Sequence, residues 1–299
     1  MMDDNSEQPA LIQAMLQASF YDHPVQQLQL IETHISWVIL TGEFAYKVKK
    51  PVDFGFLDFS TLEKRRRCCE EELRLNQHLA PAVYLAVVAL TADDDYPSLE
   101  GDGAVIEYAV KMRQFPQQAQ LDRMLAAGTL EATHIDAVAR LIADFHQQAA
   151  RAAPGTPYGD PATVYQPVAE NFQQIREHLA DNRCEATLSR LETWSAAAYQ
   201  RLLPLLGRRQ RDGFIRECHG DLHLRNLAWY RGAPIAFDCL EFNPSLRWID
   251  TVADIAFLVM DLHDRQQPAL AQRLLNGYLE HSGDYQGLAL LPFYLTYRA

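Results

Sequence analysis

The chain has 299 residues, of which 48% are hydrophobic, and its 39 acidic and 27 basic residues give a formal net charge of −12. These values predict a soluble protein with two lobes or domains, and the acidic balance argues against a nucleic-acid partner, which would require a basic stripe. Because the longest apolar run, 255–260, is too short to cross a bilayer and the acidic N-terminus has no secretory signal, we expect a cytoplasmic protein with no membrane partner.

The first part of the chain is predicted to form a β-rich lobe at 24–115, preceded by a short helical extension at 1–23. Alternation of β-branched or aromatic residues with polar ones predicts strands at 28–35, 37–41, 44–50, 83–90 and 104–113, the last two separated by the acidic turn Asp93-Asp94-Asp95. A helix is expected before that pair, with Ser60 as N-cap, Glu63 completing a capping box, and Pro81 as its stop. A meander, a helix and a hairpin follow one another in this order in the small lobe of kinases.

The remaining residues, 116–299, are predicted to form a mainly helical lobe. Apolar residues recur with a helical period in two segments (Ile135, Val138, Ile142 and Phe145; Val168, Phe172, Ile175 and Leu179), and further helices are expected at 187–206, 251–264 and 268–281. Short strands bracket His219 and Asp238. The two regions together predict an α+β, bilobal fold of the protein-kinase type, with a β-rich N-lobe and a mainly helical C-lobe.

One segment of the helical region carries the residue types that phosphoryl transfer needs. In His219-Gly220-Asp221-Leu222-His223-Leu224-Arg225-Asn226, the asparagine follows the aspartate by five residues, which is the spacing of a kinase catalytic loop. Twelve residues beyond Asn226, the apolar segment 235–237 ends in Asp238, a carboxylate that can hold Mg²⁺. Transfer from ATP requires a carboxylate beside the acceptor hydroxyl, two metal ligands and a lysine on the phosphates.

With this motif the chain resembles the aminoglycoside phosphotransferase-like family, whose catalytic loop reads His-Gly-Asp-x-His-x-x-Asn. The stretch from Tyr46 to Phe59 is similar to a bacterial branch in which such a domain is often joined to a C-terminal P-loop ATPase-like domain. The resemblance implies ATP and Mg²⁺ as cofactors, Asp221 as the catalytic base, and Asn226 and Asp238 as metal ligands. It also implies that Asp254 braces the catalytic loop.

Four more residues are assigned supporting roles. Asp250 is a good N-cap for the helix that follows it. Asp254 lies inside a helix that is apolar almost all round, where an uncompensated carboxylate would be costly, so we expect backbone N–H groups to bind it. His219 and His223 are expected to brace the catalytic loop through hydrogen bonds with the backbone.

The lysine that binds the phosphates is expected in the third strand. Phe44-Ala45-Tyr46-Lys47 has the apolar-Ala-apolar-Lys form of a kinase third strand, and Lys49, on the same face, is the second candidate. A solvated basic strand end is the alternative interpretation. Among the consecutive glutamates of the next helix, Glu72 lies nearest the apolar face and is the expected lysine partner. Ser36 and Met112 are further candidates for nucleotide binding.

Two other functions remain open. His219, Asp221 and His223 alternate along the chain and would share one face of a strand, an arrangement that could form the metal cluster of a hydrolase. A non-catalytic, nucleotide-binding pseudokinase would keep only the fold, and it would be expected to have lost Asp221, Asn226 or Asp238.

The acceptor is expected to be a small molecule. Only eleven residues separate Asp238 from Asp250, too few for the peptide platform of a protein kinase. All 17 basic residues after position 115 are arginines, which suit carboxylate and phosphate groups, and Arg225 lies within the catalytic loop itself. We therefore expect a hydroxyl acceptor that is neutral or anionic. The aromatic-rich stretch 293–299 suggests a natural protein that continues past Ala299.

Overall fold

The computed structural model describes residues 9–93, 96–178 and 184–299, which fall into two compact units. The first unit runs to Pro116 and also includes Glu241–Asn243, and the second comprises Gln117–Leu240 and Pro244–Ala299. Helix α1 (Ala10–Met15) belongs to the first unit, so the expected N-terminal extension is part of that unit where it is described. Residues 1–8 of the extension lie outside the described residues.

The first unit is built on an antiparallel sheet with the strand order β1-β2-β3-β6-β4-β5. Its strands are β1 (Gln29–Glu32), β2 (Ser36–Leu40), β3 (Phe44–Lys49), β4 (Tyr84–Asp93), β5 (Tyr96–Leu99) and β6 (Ala104–Arg113). The five predicted strands are confirmed, and β5 is an addition that the sequence did not indicate. Residues 94 and 95 of the predicted acidic turn lie outside the described residues.

Successive side chains of β3 point to opposite faces of this sheet. Tyr46 and Val48 are fully buried in the apolar core that α1 and the sheet share. Because successive side chains of a strand point to opposite faces, Lys47 and Lys49 must lie on the other face. Helix α2 (Leu62–Asn76) packs against β6 and β4.

The start of α2 differs from the sequence prediction. The N-cap is Thr61, whose hydroxyl accepts a hydrogen bond from the Lys64 N–H (3.3 Å), and the prediction of Ser60 as N-cap is wrong. The Ser60 hydroxyl instead donates to Asp58 (2.6 Å), so it is already engaged before the helix begins. Glu63 pairs with Arg67 one turn later instead of completing a capping box.

The second unit is mainly helical. Its helices are α3 (Leu121–Ala126), α4 (Ala132–Gln148), α5 (Pro161–His178), α6 (Glu185–Asp212), α7 (Pro244–Arg247), α8 (Thr251–Asp264), α9 (Pro268–Ser282) and α10 (Leu291–Arg298). Two short antiparallel pairs join β7 (Ile215–Glu217) to β10 (Trp248–Asp250) and β8 (Leu227–Tyr230) to β9 (Ala233–Ala236). The α+β, kinase-like fold predicted from the sequence is confirmed.

Two predicted helices differ in detail from the observed ones. Helix α6 continues beyond the predicted end at 206 and stops only at Gly213, whose φ of 81° is the left-handed conformation typical of helix ends. Ile175 of α5, predicted to face the core, is 45% exposed. Leu179, predicted on the same face, lies outside the described residues. In the described ranges, no helix combines the length and apolarity that a membrane span requires.

A buried ion-pair network stabilises the last turns of α6. Arg209 is 2% exposed, and its guanidinium donates two hydrogen bonds to Asp250 and two to Asp284, all between 2.7 and 2.8 Å. Asp250 also accepts a hydrogen bond from the Val252 N–H (2.9 Å) as the N-cap of α8. Arg209 therefore links α6 to the start of α8.

We predict that Arg209→Met lowers the free energy of unfolding by about 3–5 kcal/mol, because it leaves two buried carboxylates without their partner. The matched control is Arg208→Met in the same turn, where the side chain is exposed and the change should stay within about 0.5 kcal/mol. Urea denaturation of both variants and the unchanged protein measures the difference. Equal, small effects would show that the network does not stabilise the fold.

Candidate active site

The segment 219–226 lies between β7 and β8 and forms a loop that ends in a short 3₁₀ turn at Leu224–Asn226. Gly220 has a φ of 84°, and a Cβ there would lie 2.9 Å from the carbonyl oxygen of Leu246. Glycine is therefore the residue that this turn permits, both by conformation and by space. The loop is not a strand, so His219, Asp221 and His223 do not share a strand face.

Asp254 of α8 binds the backbone of this loop. Its carboxylate is fully buried and accepts hydrogen bonds from the N–H groups of His219 (3.1 Å) and Gly220 (2.8 Å). His146 of α4 adds a third contact, with its Nε2 3.0 Å from Asp254 Oδ2. Burial raises the pKa of Asp254, but the hydrogen bond and charge of His146 outweigh burial and hold that pKa below its usual value. Asp254 thus stays ionised and fixes the start of the loop.

His146, Cys218 and Asp254 come close enough to suggest a metal site, but their ligand atoms are already engaged. The second ring nitrogen of His146 lies 2.9 Å from the Tyr278 hydroxyl, and Cys218 Sγ contacts the carbonyl oxygen of Ile249 (3.6 Å). The three side chains therefore form a buried hydrogen-bonded support for the loop.

His219 fixes the position of Asp238 through backbone contacts on both sides of that residue. Its Nε2 donates to the carbonyl oxygen of Phe237 (2.9 Å), and its own carbonyl oxygen accepts from the Leu240 N–H (3.1 Å). Its Nδ1 accepts from the Asp221 N–H (3.3 Å), and burial lowers the pKa of the imidazole, which favours the neutral ring. Both ring nitrogens are used, so His219 has none left for the metal cluster of a hydrolase.

Asp221 is held by one of its two carboxylate oxygens. Oδ2 accepts a hydrogen bond from Asn226 Nδ2 (2.9 Å) and lies 3.3 Å from His223 Nε2. Oδ1 has no hydrogen-bond partner among the described residues, and the side chain is 34% exposed, so this oxygen is accessible to a ligand. Burial raises the pKa of Asp221, but the hydrogen bond and charge of His223, together with the charges of His219 and Arg298, leave the pKa below its usual value. The carboxylate is therefore ionised at neutral pH.

Asn226 and Asp238 offer oxygen atoms suited to a divalent cation. Asn226 Nδ2 donates to both the carbonyl oxygen (3.0 Å) and the carboxylate of Asp221, which turns its amide oxygen away from them. Its backbone carbonyl accepts from the Phe237 N–H (3.0 Å), next to Asp238. Asp238 has a φ of 64°, a left-handed conformation that is uncommon for residues other than glycine. Amide and carboxylate oxygens are the ligands that Mg²⁺ prefers, so these residues fit such an ion.

His223 has a different contact from the one predicted. We expected it to brace the backbone, but its Nε2 contacts the Asp221 carboxylate, and its ring meets the Phe257 ring edge-on at 5.4 Å. Its Nδ1 is buried without a hydrogen bond. The imidazole of His223 is held in this orientation because Phe257 packs against it. Phe257 lies on α8, one turn beyond Asp254. The sequence prediction missed Phe257 because it reads as one apolar residue of an apolar helix.

The first unit contains a second polar cluster, on the face of the sheet opposite its apolar core. Lys47 Nζ donates to Glu72 Oε1 (2.9 Å) and Lys49 Nζ to Glu72 Oε2 (2.7 Å). Glu72 is fully buried, whereas Glu70 is exposed and pairs with Arg66. One glutamate of α2 thus holds both candidate lysines of β3.

Glu241 completes this cluster and was missed in the sequence. It pairs with Lys49, whose side chain is only 1% exposed, so Lys49 lies between two carboxylates. Burial lowers the pKa of Lys49, but the charges of Glu241 and Glu72 outweigh it and raise that pKa above its usual value. The available signal was an acid three residues after Asp238 in the otherwise apolar run Cys239, Leu240 and Phe242.

Ser36 and Met112 lie on strands that flank β3. Ser36 pairs in register with Lys49, but its hydroxyl is buried and lies 2.9 Å from that of Thr33. Met112 pairs in register with the buried Ala45. The sheet therefore brings both near the two lysines, while the Ser36 hydroxyl is already engaged within its own turn.

Known proteins match this chain over most of its length. The sequence model of the phosphotransferase enzyme family matches residues 56–291. An uncharacterized protein of Mycobacterium tuberculosis (strain H37Rv) and one of Mycobacterium bovis are each 34% identical over 280 residues, which is 93% of this chain. The chain spans 55% of the length of these two relatives.

Solved structures share its fold. A glucosamine kinase has a TM-score of 0.51 at 14% identity, covering 96% of this chain and 78% of that one. The choline kinase of Cryptosporidium parvum has a TM-score of 0.50 at 11% identity, covering 94% and 81%. At such low identity these two structures show the kinase-like fold alone. The match of the family model over residues 56–291 is the finding that assigns the chain: it belongs to the phosphotransferase enzyme family.

Proposed function

We propose that this chain transfers the γ-phosphate of ATP to a hydroxyl group of a small molecule, with Asp221 as the general base. The observation that carries the proposal is the orientation of Asp221. One carboxylate oxygen is fixed by Asn226 and His223, while the other is accessible and has no partner among the described residues. An ionised, oriented carboxylate of this kind can accept the proton of an attacking hydroxyl.

Each remaining residue has a role that follows from its contacts. Asp221 Oδ1 accepts the hydroxyl proton, and Asn226 keeps the carboxylate from rotating. Asn226 and Asp238 would hold Mg²⁺, which neutralises negative charge on the phosphate oxygens. Asp254 and His219 keep the loop and Asp238 in place. The eleven residues between Asp238 and Asp250 include α7 and the first two residues of β10, which supports a small acceptor over a peptide.

Lys47 is the lysine that we assign to the phosphates. Lys49 is enclosed by Glu72 and Glu241, and its side chain is almost inaccessible, so its charge is already compensated within the protein. Lys47 shares Glu72 with Lys49, and its side chain is more exposed, at 10%. In this assignment Glu72 orients Lys47, whereas Lys49 neutralises the buried carboxylates.

The first functional prediction separates the base from the metal ligands. Asp221→Asn should lower kcat by about 10²–10⁴-fold, because the proton acceptor is lost, and should leave ATP affinity nearly unchanged. Asp238→Ala should instead weaken the binding of ATP in the presence of Mg²⁺. Steady-state ADP formation and calorimetric ATP titration measure the two effects. Equal small effects of both changes would contradict the assignment, and absence of ATP consumption by the unchanged protein would favour the pseudokinase.

The second prediction separates the two lysines. Lys47→Met should lower kcat/KM for ATP by about 10²–10³-fold, because a positive charge on the phosphates is lost, with a small change in unfolding free energy. Lys49→Met should destabilise the fold by about 3–5 kcal/mol, because two buried carboxylates lose their shared cation. Kinetics and urea denaturation of both variants decide the assignment. The reverse pattern would make Lys49 the phosphate lysine.

A further inference from the structure

The catalytic loop is flanked by one face of α8. Asp254, Phe257 and Asp261 are spaced three and four residues apart, so they project from the same side of this helix. Asp254 binds the N–H groups at the start of the loop, and Asp261 Oδ2 accepts from the Leu224 N–H (2.8 Å) near its end. Phe257 lies between them and contacts His223. The ring of Phe257 therefore packs against the histidine that contacts Asp221.

Arg298 of α10 lies against this ring. Its guanidinium carbon is 4.8 Å from the centre of the Phe257 ring and 5.3 Å from that of Tyr297. Its Nε is buried and has no hydrogen bond, and no carboxylate pairs with Arg298 within the described part of the chain. Several other arginines of the second unit have ion pairs, including Arg176, Arg209, Arg247, Arg265 and Arg273.

Two buried polar atoms without a partner thus meet at one aromatic ring: Nδ1 of His223 and Nε of Arg298. Buried polar groups are almost always hydrogen-bonded, so each such atom calls for an explanation. Contacts run without interruption from Asp221 to His223, from His223 to Phe257 and from Phe257 to Arg298. The positive charge of Arg298 also contributes to lowering the pKa of Asp221, which places the two groups in one electrostatic environment.

We propose that Arg298 is a specificity residue that binds an anionic group, a carboxylate or a phosphate, of the acceptor whose hydroxyl faces Asp221. The proposal rests on the phosphotransferase function proposed above. A planar guanidinium with free donors is suited to the two oxygens of such a group, and its apolar ring support keeps it in place. The same charge would repel a cationic acceptor. Arg225, the arginine indicated by the sequence, is exposed, whereas Arg298 has a buried Nε without a hydrogen bond.

The first test uses acceptors of unknown identity, taken from a bacterial metabolite extract separated into anionic, neutral and cationic fractions. We expect ATP-dependent phosphorylation with the anionic fraction, at least a tenfold larger half-saturating amount of that fraction for Arg298→Gln, and an unchanged KM for ATP. Arg298→Lys should restore part of the loss, and Arg208→Gln, at an exposed position of α6, should behave like the unchanged protein. Activity confined to the neutral or cationic fraction would overturn the proposal.

The second test does not require turnover, so it separates this proposal from the proposed function. In ¹⁵N-labelled protein, the Arg298 Nε–H resonance is assigned by its loss in Arg298→Gln. Glycerol 3-phosphate or D-glycerate should shift this resonance with saturation, while glycerol and ethanolamine should not. A resonance that does not respond to either anion would overturn the anion site. A saturable response without phosphorylation of any fraction would retain the site and refute the phosphotransferase function.

Discussion

The two hydrogen bonds from the backbone of His219 and Gly220 to the buried carboxylate of Asp254 determine the geometry of the catalytic loop. A buried carboxylate without donors would be costly, so Asp254 of α8 depends on the N–H groups of the loop, and the loop depends on Asp254 for its position. His146 supplies the third donor, and the remaining contacts of the loop follow from this fixed start. His219 then holds the backbone around Asp238, and Asp221 is placed where Asn226 and His223 can bind it. The site is thus held by successive hydrogen bonds that start at Asp254, within the apolar helix α8.

Local sequence patterns predicted the elements well because those elements depend on local chemistry. The alternation in β3 separates Tyr46 and Val48 from Lys47, and the helical period of α2 buries Glu72. The boundaries were less accurate. Thr61 caps α2 in place of Ser60, and the last turns of α6 are held by the contacts of Arg209 with carboxylates distant in sequence. A pattern of neighbouring residues does not reveal such contacts, so it places the ends of these helices less accurately.

The same limit applies to the candidate site. The spacing of Asp221, Asn226 and Asp238 indicates a kinase-type loop because those residues are close in sequence. Phe257 and Arg298 could not be found in this way, because only packing within the second unit brings Phe257 to His223 and Arg298 to Phe257. Glu241 likewise joins Lys49 over 192 positions. Aromatic and ionic contacts between distant segments leave no periodic signal.

The shared use of Glu72 by two lysines affects how a ligand can arrive and leave. If Glu72 had only one lysine partner, moving that ammonium toward a phosphate would leave a fully buried carboxylate unpaired. The free-energy cost of an unpaired buried charge is large. Here Lys49 donates to the second oxygen of Glu72, so the glutamate has a cation besides Lys47. In the assignment proposed above, Lys47 exchanges between the carboxylate and an incoming phosphate while Lys49 keeps the buried charge of Glu72 compensated. Two cations on one carboxylate thus lower the energetic cost of each binding and release.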